Sequence, residues 1–208
     1  MILPPEDRLD DWPDDWPVEW RELPDSLRTP SVLHQMPGDL MMWLLIVSEL
    51  LVFGAGLAGF MAVRLSDPAG FAAAQDQLHR GAAGINTLLL VSSGLFAALA
   101  ARAAEAGQPP WARLLLLLAA LLGIGFLLIK SSEYADLIER GVGTETHAFF
   151  MFYYLLTGFH AAHVAAGIVL FGVVGWKCSP AGVEMGAAFW HMVDLVWILL
   201  LPIIYLLR

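Results

Sequence analysis

The sequence predicts an all-α polytopic membrane protein: an up-and-down bundle of five transmembrane helices behind an acidic N-terminal tail. Three observations carry this reading. Hydrophobic residues make up 58% of the 208 and charged residues 15%, against roughly 45–50% and 25% in an average soluble domain. Five stretches reach the length of about 20 apolar residues that a helix needs to cross the hydrocarbon with every backbone group bonded internally. The links between them are short, which makes sequential helices antiparallel neighbours.

Residues 1–39 form the tail and carry ten of the 20 acidic side chains and seven of the 12 prolines. Asp10-Asp11-Trp12-Pro13 recurs at once as Asp14-Asp15-Trp16-Pro17, and Trp20 keeps the four-residue spacing. Pro13 and Pro17 oppose a regular helix there. Two readings stand: a solvated chain held open by its own charge, or an aromatic anchor that docks on a partner subunit or at headgroup level. The acidic opening lacks the basic and apolar runs of a secretory signal, so no cleaved signal peptide is expected.

Residues 40–208 form the transmembrane unit, with spans at about 40–63, 81–101, 111–129, 148–176 and 187–207. Ser66, Asp67, Pro68 and Gly70 stop the first, Gly107, Gln108, Pro109 and Pro110 the second, and Ser179, Pro180 and Gly182 the fourth. Charge does not orient the bundle. A cytoplasmic N-terminus puts Arg8, Arg21, Arg28, Arg102, Arg113 and Lys177 inside, against Arg64, Arg80, Lys130, Arg140 and Arg208 outside. The net charge of -9 excludes a nucleic-acid partner, which takes clustered Lys and Arg. The single cysteine, Cys178, has no thiol companion for a disulfide or a cysteine metal site.

Ionisable groups within such spans are costly and face the bundle interior, a partner or a water path. Glu49 is the deepest acid, about ten residues into the first span. It reads either as a protonated carboxyl bonded between helices or as a proton-handling or lipid-headgroup contact. His160 and His163 lie at i, i+3 on the fourth span, as do His191 and Asp194 on the fifth. Imidazoles suit zinc, copper and iron, so the three histidines are candidate metal or haem ligands. Against this, no Glu-x-x-His pair of the di-iron type occurs, and only His191 lies outside the fourth span. Interhelical hydrogen bonding, with His-to-Asp pairing, is the economical account.

Gly54-x-Gly56-x-x-Gly59 matches a dinucleotide-binding fingerprint in letters only, because no strand precedes it and it sits inside an apolar helix. Its glycines read as close-packing positions, as do Gly158, Ala162 and Ala166 on the fourth span, with Thr157, Ala161 and Ala165 beside them. No Gly-x-Ser-x-Gly elbow, phosphate loop or His-Glu-x-x-His is present.

Several strings resemble one family. They are Met42-Trp43-Leu44-Leu45-Ile46-Val47-Ser48-Glu49 with Phe53; Asn86-Thr87-Leu88-Leu89-Leu90 leading to Ser93-Gly94; Ser132-Glu133-Tyr134; Tyr153-Tyr154-Leu155-Leu156-Thr157-Gly158-Phe159-His160-Ala161-Ala162-His163-Val164; and Phe189-Trp190-His191-Met192-Val193-Asp194-Leu195-Val196-Trp197. Their order and spacing resemble subunit III of the haem-copper respiratory oxidases. The resemblance implies a non-catalytic subunit that supports assembly, stability and proton uptake of a large catalytic subunit, which holds the haem and the copper or iron. It implies no cofactor on this chain, phospholipid between its helices, and a role for Glu49 facing the proton-uptake side. It implies a bacterial inner-membrane protein with a cytoplasmic N-terminus. Trp43, Asn86, Thr87, Glu133, Tyr134, Gly158, Trp190 and Trp197 are family-motif positions, and His160, His163, His191 and Asp194 a structural polar network.

Longer members have seven helices, of which this sequence resembles the last five. Five-helix forms are similar to subunit III of quinol oxidases and to the accessory subunit associated with nitric oxide reductase. Met36-Pro37-Gly38-Asp39 and the closing Pro202-Ile203-Ile204-Tyr205 lean toward the nitric oxide reductase branch. Two rivals from other classes are a small haem-binding membrane cytochrome built on His160, His163 and His191, and a stand-alone channel or transporter using Glu49 as an ion relay.

Overall fold

The structure is a computed structural model and describes residues 40–207. The tail, with its Asp-Asp-Trp-Pro repeat, lies outside the described residues, as does Arg208. The elements are α1 (Leu40–Arg64), α2 (Pro68–Gln75), α3 (Arg80–Glu105), α4 (Pro109–Glu139), α5 (Ala148–Lys177) and α6 (Pro180–Leu201), the last continuing into a π turn over Pro202–Leu206. All but α2 are long and apolar enough to cross a membrane, which gives five spanning helices.

The punctuation residues act by identifiable chemistry. Gly107 and Gly141 adopt positive φ after α3 and α4. There Gln108 N–H returns to Ala103 O and Val142 N–H to Leu137 O, closing Schellman-type ends. Asp67 and Ser179 each accept a backbone N–H at the start of α2 and α6, with proline following. Two helices outrun their apolar stretches. Pro180 at the first helical position starts α6 seven residues before Ala187, and α4 continues ten residues beyond Ile129. That extension persists because Lys130 and Glu133 pair with each other inside the bundle, so their charges do not end the helix.

α3 packs along α4, α4 along α5 and α5 along α6, as short links require. The first span behaves differently: α1 packs chiefly against α5 and α6, because α2 and its flanking turns carry the chain from α1 across one end of the bundle to α3. α6 touches α1, α3 and α5 and is the most enclosed helix, while α1 is the least.

Close approach around α6 rests on glycine. A Cβ on Gly167 of α5 would lie 2.6 Å from the Trp190 ring, and one on Gly123 of α4 would lie 2.7 Å from it. The indole therefore fills a niche that two missing side chains create, and Phe171 lies 4.7 Å from it. The expected packing stripe on α5 falls elsewhere. Gly158 is partly open, and Ala162 and Ala166 face outward, because the inward face of α5 is set by the large side chains Tyr153, His160, Val164 and Phe171. On α1, Gly56 and Gly59 face Leu156 and Phe152 of α5 and serve helix approach.

Candidate functional site

Polar groups inside the bundle gather in three separate places. The first lies between α1 and α5, where His163 Nε2 is 3.1 Å from Glu49 Oε2, with side chains 15% and 24% exposed. His163 Nδ1 lies 2.9 Å from the carbonyl of Phe159 one turn earlier. A carbonyl only accepts, so Nδ1 carries the proton, while Glu49 Oε2, though close to Nε2, has no hydrogen-bond partner among the described residues. Phe53 and Phe159 bracket the imidazole at ring distances of 5.6 and 4.6 Å. The geometry thus brings a carboxyl and an imidazole together in an apolar, partly open setting.

The second place is the deep core. His160 is fully buried and stacks on Trp197 at 5.3 Å, with Phe126 edge-on at 5.5 Å. Its ring nitrogens have no hydrogen-bond partner among the described residues. The expected interhelical bond is therefore absent at His160, because a three-residue step from His163 turns it into a wall of aromatic rings. Trp197 donates Nε1–H to Thr87 Oγ1 at 3.0 Å, and Thr87 donates to Ala83 O at 2.9 Å, so the stack is held to α3. Asn86 beside it is buried, and its amide has no hydrogen-bond partner among the described residues. His191 and Asp194 share one side of α6 but stand 3.9 Å apart, beyond hydrogen-bond range, with the Asp194 carboxyl against Gly94 of α3. The polar network read from the sequence is thus divided. His163 joins α1, His160 the aromatic core, and His191 the outward side of α6.

The third place gathers Glu133 and Tyr134, both family-motif positions, around Lys130, which the sequence reading counts only as a charge beyond the third span. Lys130 is almost wholly buried and donates to Glu133 Oε2 at 3.0 Å, to Tyr153 OH at 3.1 Å and to Tyr205 OH. Tyr205 also donates toward Glu133. The ammonium lies between 4.6 and 5.5 Å from the ring centres of Tyr134, Tyr153, Trp197 and Tyr205. Tyr134 shares a 2.6 Å hydrogen bond with Thr157. One lysine therefore ties α4 to α5 and to the C-terminal turn. The missed signal was the i, i+3 spacing of Lys130 and Glu133, which only matters if the helix runs past Ile129.

At the end of the bundle nearest this cluster, further polar groups fix the chain. Gln75 donates to Ile204 O at 2.7 Å and Arg64 to Leu207 O, both carbonyls of the π-turn region. His147 Nδ1 accepts Phe149 N–H at the start of α5, and its Nε2 meets Asp67 at 3.1 Å. The Gly70 amide and then His147 hold the Asp67 carboxyl below its ordinary range. Trp43 is exposed near the start of α1.

Among the described residues no three His, Cys, Asp or Glu side chains converge as metal ligands. His160, His163 and His191 occupy the three different surroundings just described and do not meet around a common point, so these side chains do not fit a haem or metal held by this chain.

Comparison with known proteins assigns the family. The family described as Cytochrome c oxidase subunit III matches residues 29–207. Cytochrome c oxidase subunit 3 of Synechocystis sp. is 32% identical over 202 residues, covering 88% of this chain and 83% of the relative. Its counterpart in Corynebacterium diphtheriae is 31% identical over 176 residues, covering 79% and 86%. Cytochrome bo(3) ubiquinol oxidase subunit 3 of Pseudomonas putida is 28% identical over 177 residues, covering 79% and 83%. With the match running through all five spans, and with the Glu49, His160-x-x-His163 and Trp190-His191 segments on three packed helices, the chain belongs to the cytochrome c oxidase subunit III family.

Proposed function

We propose that this chain, a subunit of a haem-copper oxidase complex without a catalytic centre of its own, sustains assembly, stability and proton uptake of the large catalytic subunit. The observation that carries the proton-related part is the Glu49–His163 pair, a carboxyl and an imidazole 3.1 Å apart at membrane depth and partly open to whatever lies beside α1 and α5. Such a pair is suited to proton transfer, because the two groups already lie close together. On this reading the haem and the copper or iron belong to the partner, phospholipid contacts the outward faces, and the protein resides in the bacterial inner membrane. Its N-terminal side faces the cytoplasm.

The partner reading favours an oxygen-reducing oxidase, because the relatives above are named for cytochrome c and ubiquinol oxidases. A mild-detergent pull-down of the tagged chain from its native membrane, with an absorption spectrum and mass spectrometry, tests it. The expected result is a large haem-bearing subunit that keeps its haem when this chain is stripped away. Nitric oxide reductase as that partner would move the chain to the other branch. A lone chain retaining haem would overturn the reading. In the assembled complex, Glu49→Ala is expected to leave haem content unchanged and to slow or destabilise proton-coupled turnover.

A further inference from the structure

Lys130 is the first residue past the apolar run that carries α4 to Ile129, and Ser131 and Ser132 beside it are exposed. Farther along the helix Asp136 and Arg140 are open as well. At this level α4 turns polar side chains outward, yet the Lys130 and Glu133 side chains are each only 2% exposed. Packing at this end of the bundle is therefore what hides the charge pair.

Part of that cover is the turn Pro202–Leu206. Ile204 and Tyr205 are fully buried, and the Tyr205 ring centre lies 5.1 Å from the ammonium. The Tyr205 hydroxyl accepts from Lys130 and donates toward Glu133. An ammonium has three N–H donors and no acceptor. Glu133, Tyr153 and Tyr205 take one N–H each, so the turn supplies the third acceptor as well as a ring over the site.

The turn is joined to the bundle in a way that lets it move as a unit. Pro202 has no N–H, so the backbone ladder of α6 lacks a bond at the junction. Side chains of other elements hold its carbonyls: Gln75 of α2 donates to Ile204 O at 2.7 Å, and Arg64 of α1 donates to Leu207 O just beyond it. Leu206 and Leu207 are exposed. Breaking a few such bonds is local opening, which costs far less than unpacking the spanning helices. With the turn away, water reaching the level of Ser131 and Ser132 takes the place of the phenol oxygen, so the ammonium keeps three acceptors.

We propose that the Pro202–Leu206 turn is a hinged lid over the Lys130–Glu133 pair. Docked, it completes the hydrogen bonds of the ammonium and keeps water from both charges. Swung out about Pro202, it opens an ammonium and a carboxylate to water while α3, α4 and α5 stay packed. The fold thus contains a conformational switch in the solvation of one buried charge pair, separate from Glu49 and His163.

The chain has two lysines, Lys130 and Lys177, and Lys177 is exposed at the far end of α5, so a single labelling reaction carries its own control. The full-length chain in mixed micelles is treated with a small water-soluble acylating reagent. Mass spectrometry follows the modification of each lysine beside hydrogen exchange of α3, whose Leu90 and Ala97 are buried. The expected result is that Lys130 is protected, relative to Lys177, at least tenfold less than the α3 amides are protected from exchange. Gln75→Leu removes one pin of the lid without touching the charge pair. It should speed Lys130 labelling about tenfold, the effect of leaving one buried hydrogen bond unmade, with Lys177 and α3 unchanged. Equal protection of Lys130 and α3 would mean that the pair opens only when the bundle unfolds, and would overturn the proposal. A Lys130 rate indifferent to Gln75→Leu would overturn it too. Should Gln75→Leu fail to fold, the comparison of Lys130 with α3 in the unsubstituted chain decides alone.

Discussion

Lys130 and Glu133 lie 3.0 Å apart on one face of α4, both enclosed, and the same ammonium reaches Tyr153 on α5 and Tyr205 beyond α6. A charge pair three residues apart is ordinarily a surface feature worth little. Here desolvation changes its character, because each charge is tolerable only while the other, and the two phenols, remain in place.

Removing one partner of that pair should therefore be severe. Lys130→Met strands the Glu133 carboxylate and is expected to cost about 3–5 kcal/mol, whereas the double variant Lys130→Met/Glu133→Leu should recover most of the loss. Unfolding of the purified chain in mixed micelles, read as a double-mutant cycle, measures both. Equal losses in single and double variants would argue against a coupled pair.

Tyr205→Phe keeps the ring and removes one hydroxyl from the same cluster. The expected cost is about 1–3 kcal/mol, the penalty of an underbonded buried group, with faster hydrogen exchange at the C-terminal turn. Exchange confined to α1 would contradict this assignment.

The glycine niche makes a sharper steric prediction. Gly167→Ala drives a methyl into Trp190 and should destabilise by about 1–3 kcal/mol. Gly54→Ala, with nothing within 4 Å of the added carbon, should be neutral or stabilising by up to about 1 kcal/mol. Melting temperatures of the two variants settle the comparison, since each adds one methyl to a spanning helix.

At the corner between α1 and α2 the expectation concerns pH. The Asp67 carboxyl is held below its ordinary range by the Gly70 amide and by His147. A depressed acid contributes stability that is present above its unfolded value of about 3.9 and is lost as pH falls through the lower folded value. Hydrogen exchange of α2 should therefore rise below about pH 4, and Asp67→Asn should abolish that dependence while weakening the cap at every pH. A pH profile unchanged in Asp67→Asn would assign the effect to another group.

The closeness of Glu49 and His163 predicts that the two substitutions converge. His163→Leu should reproduce the turnover defect of Glu49→Ala in the assembled complex, and the double variant should add little further loss. Additive defects would mean that the two groups act apart.

The sequence by itself determined the class of this protein. Apolar runs of membrane length, proline, glycine and serine between them, and the absence of basic clusters leave a bundle of spanning helices as the only economical outcome, since hydrocarbon forces backbone bonding within each segment. It also exposed the candidate residues, because Glu49, His160, His163, His191 and Asp194 are rare types within such spans. Grouping them required the tertiary structure. Spacing along one helix states which side chains share a face, but not which helix, ring or solvent that face meets. The step from His160 to His163 separates an enclosed ring on Trp197 from an imidazole beside Glu49. Lys130 looked like the charge that ends a span, and became the centre of the buried cluster only once α5 and the turn after Pro202 brought Tyr153 and Tyr205 to it. Those contacts are between residues 23 and 75 positions apart, and which long-range pairs form is decided by how the helices pack.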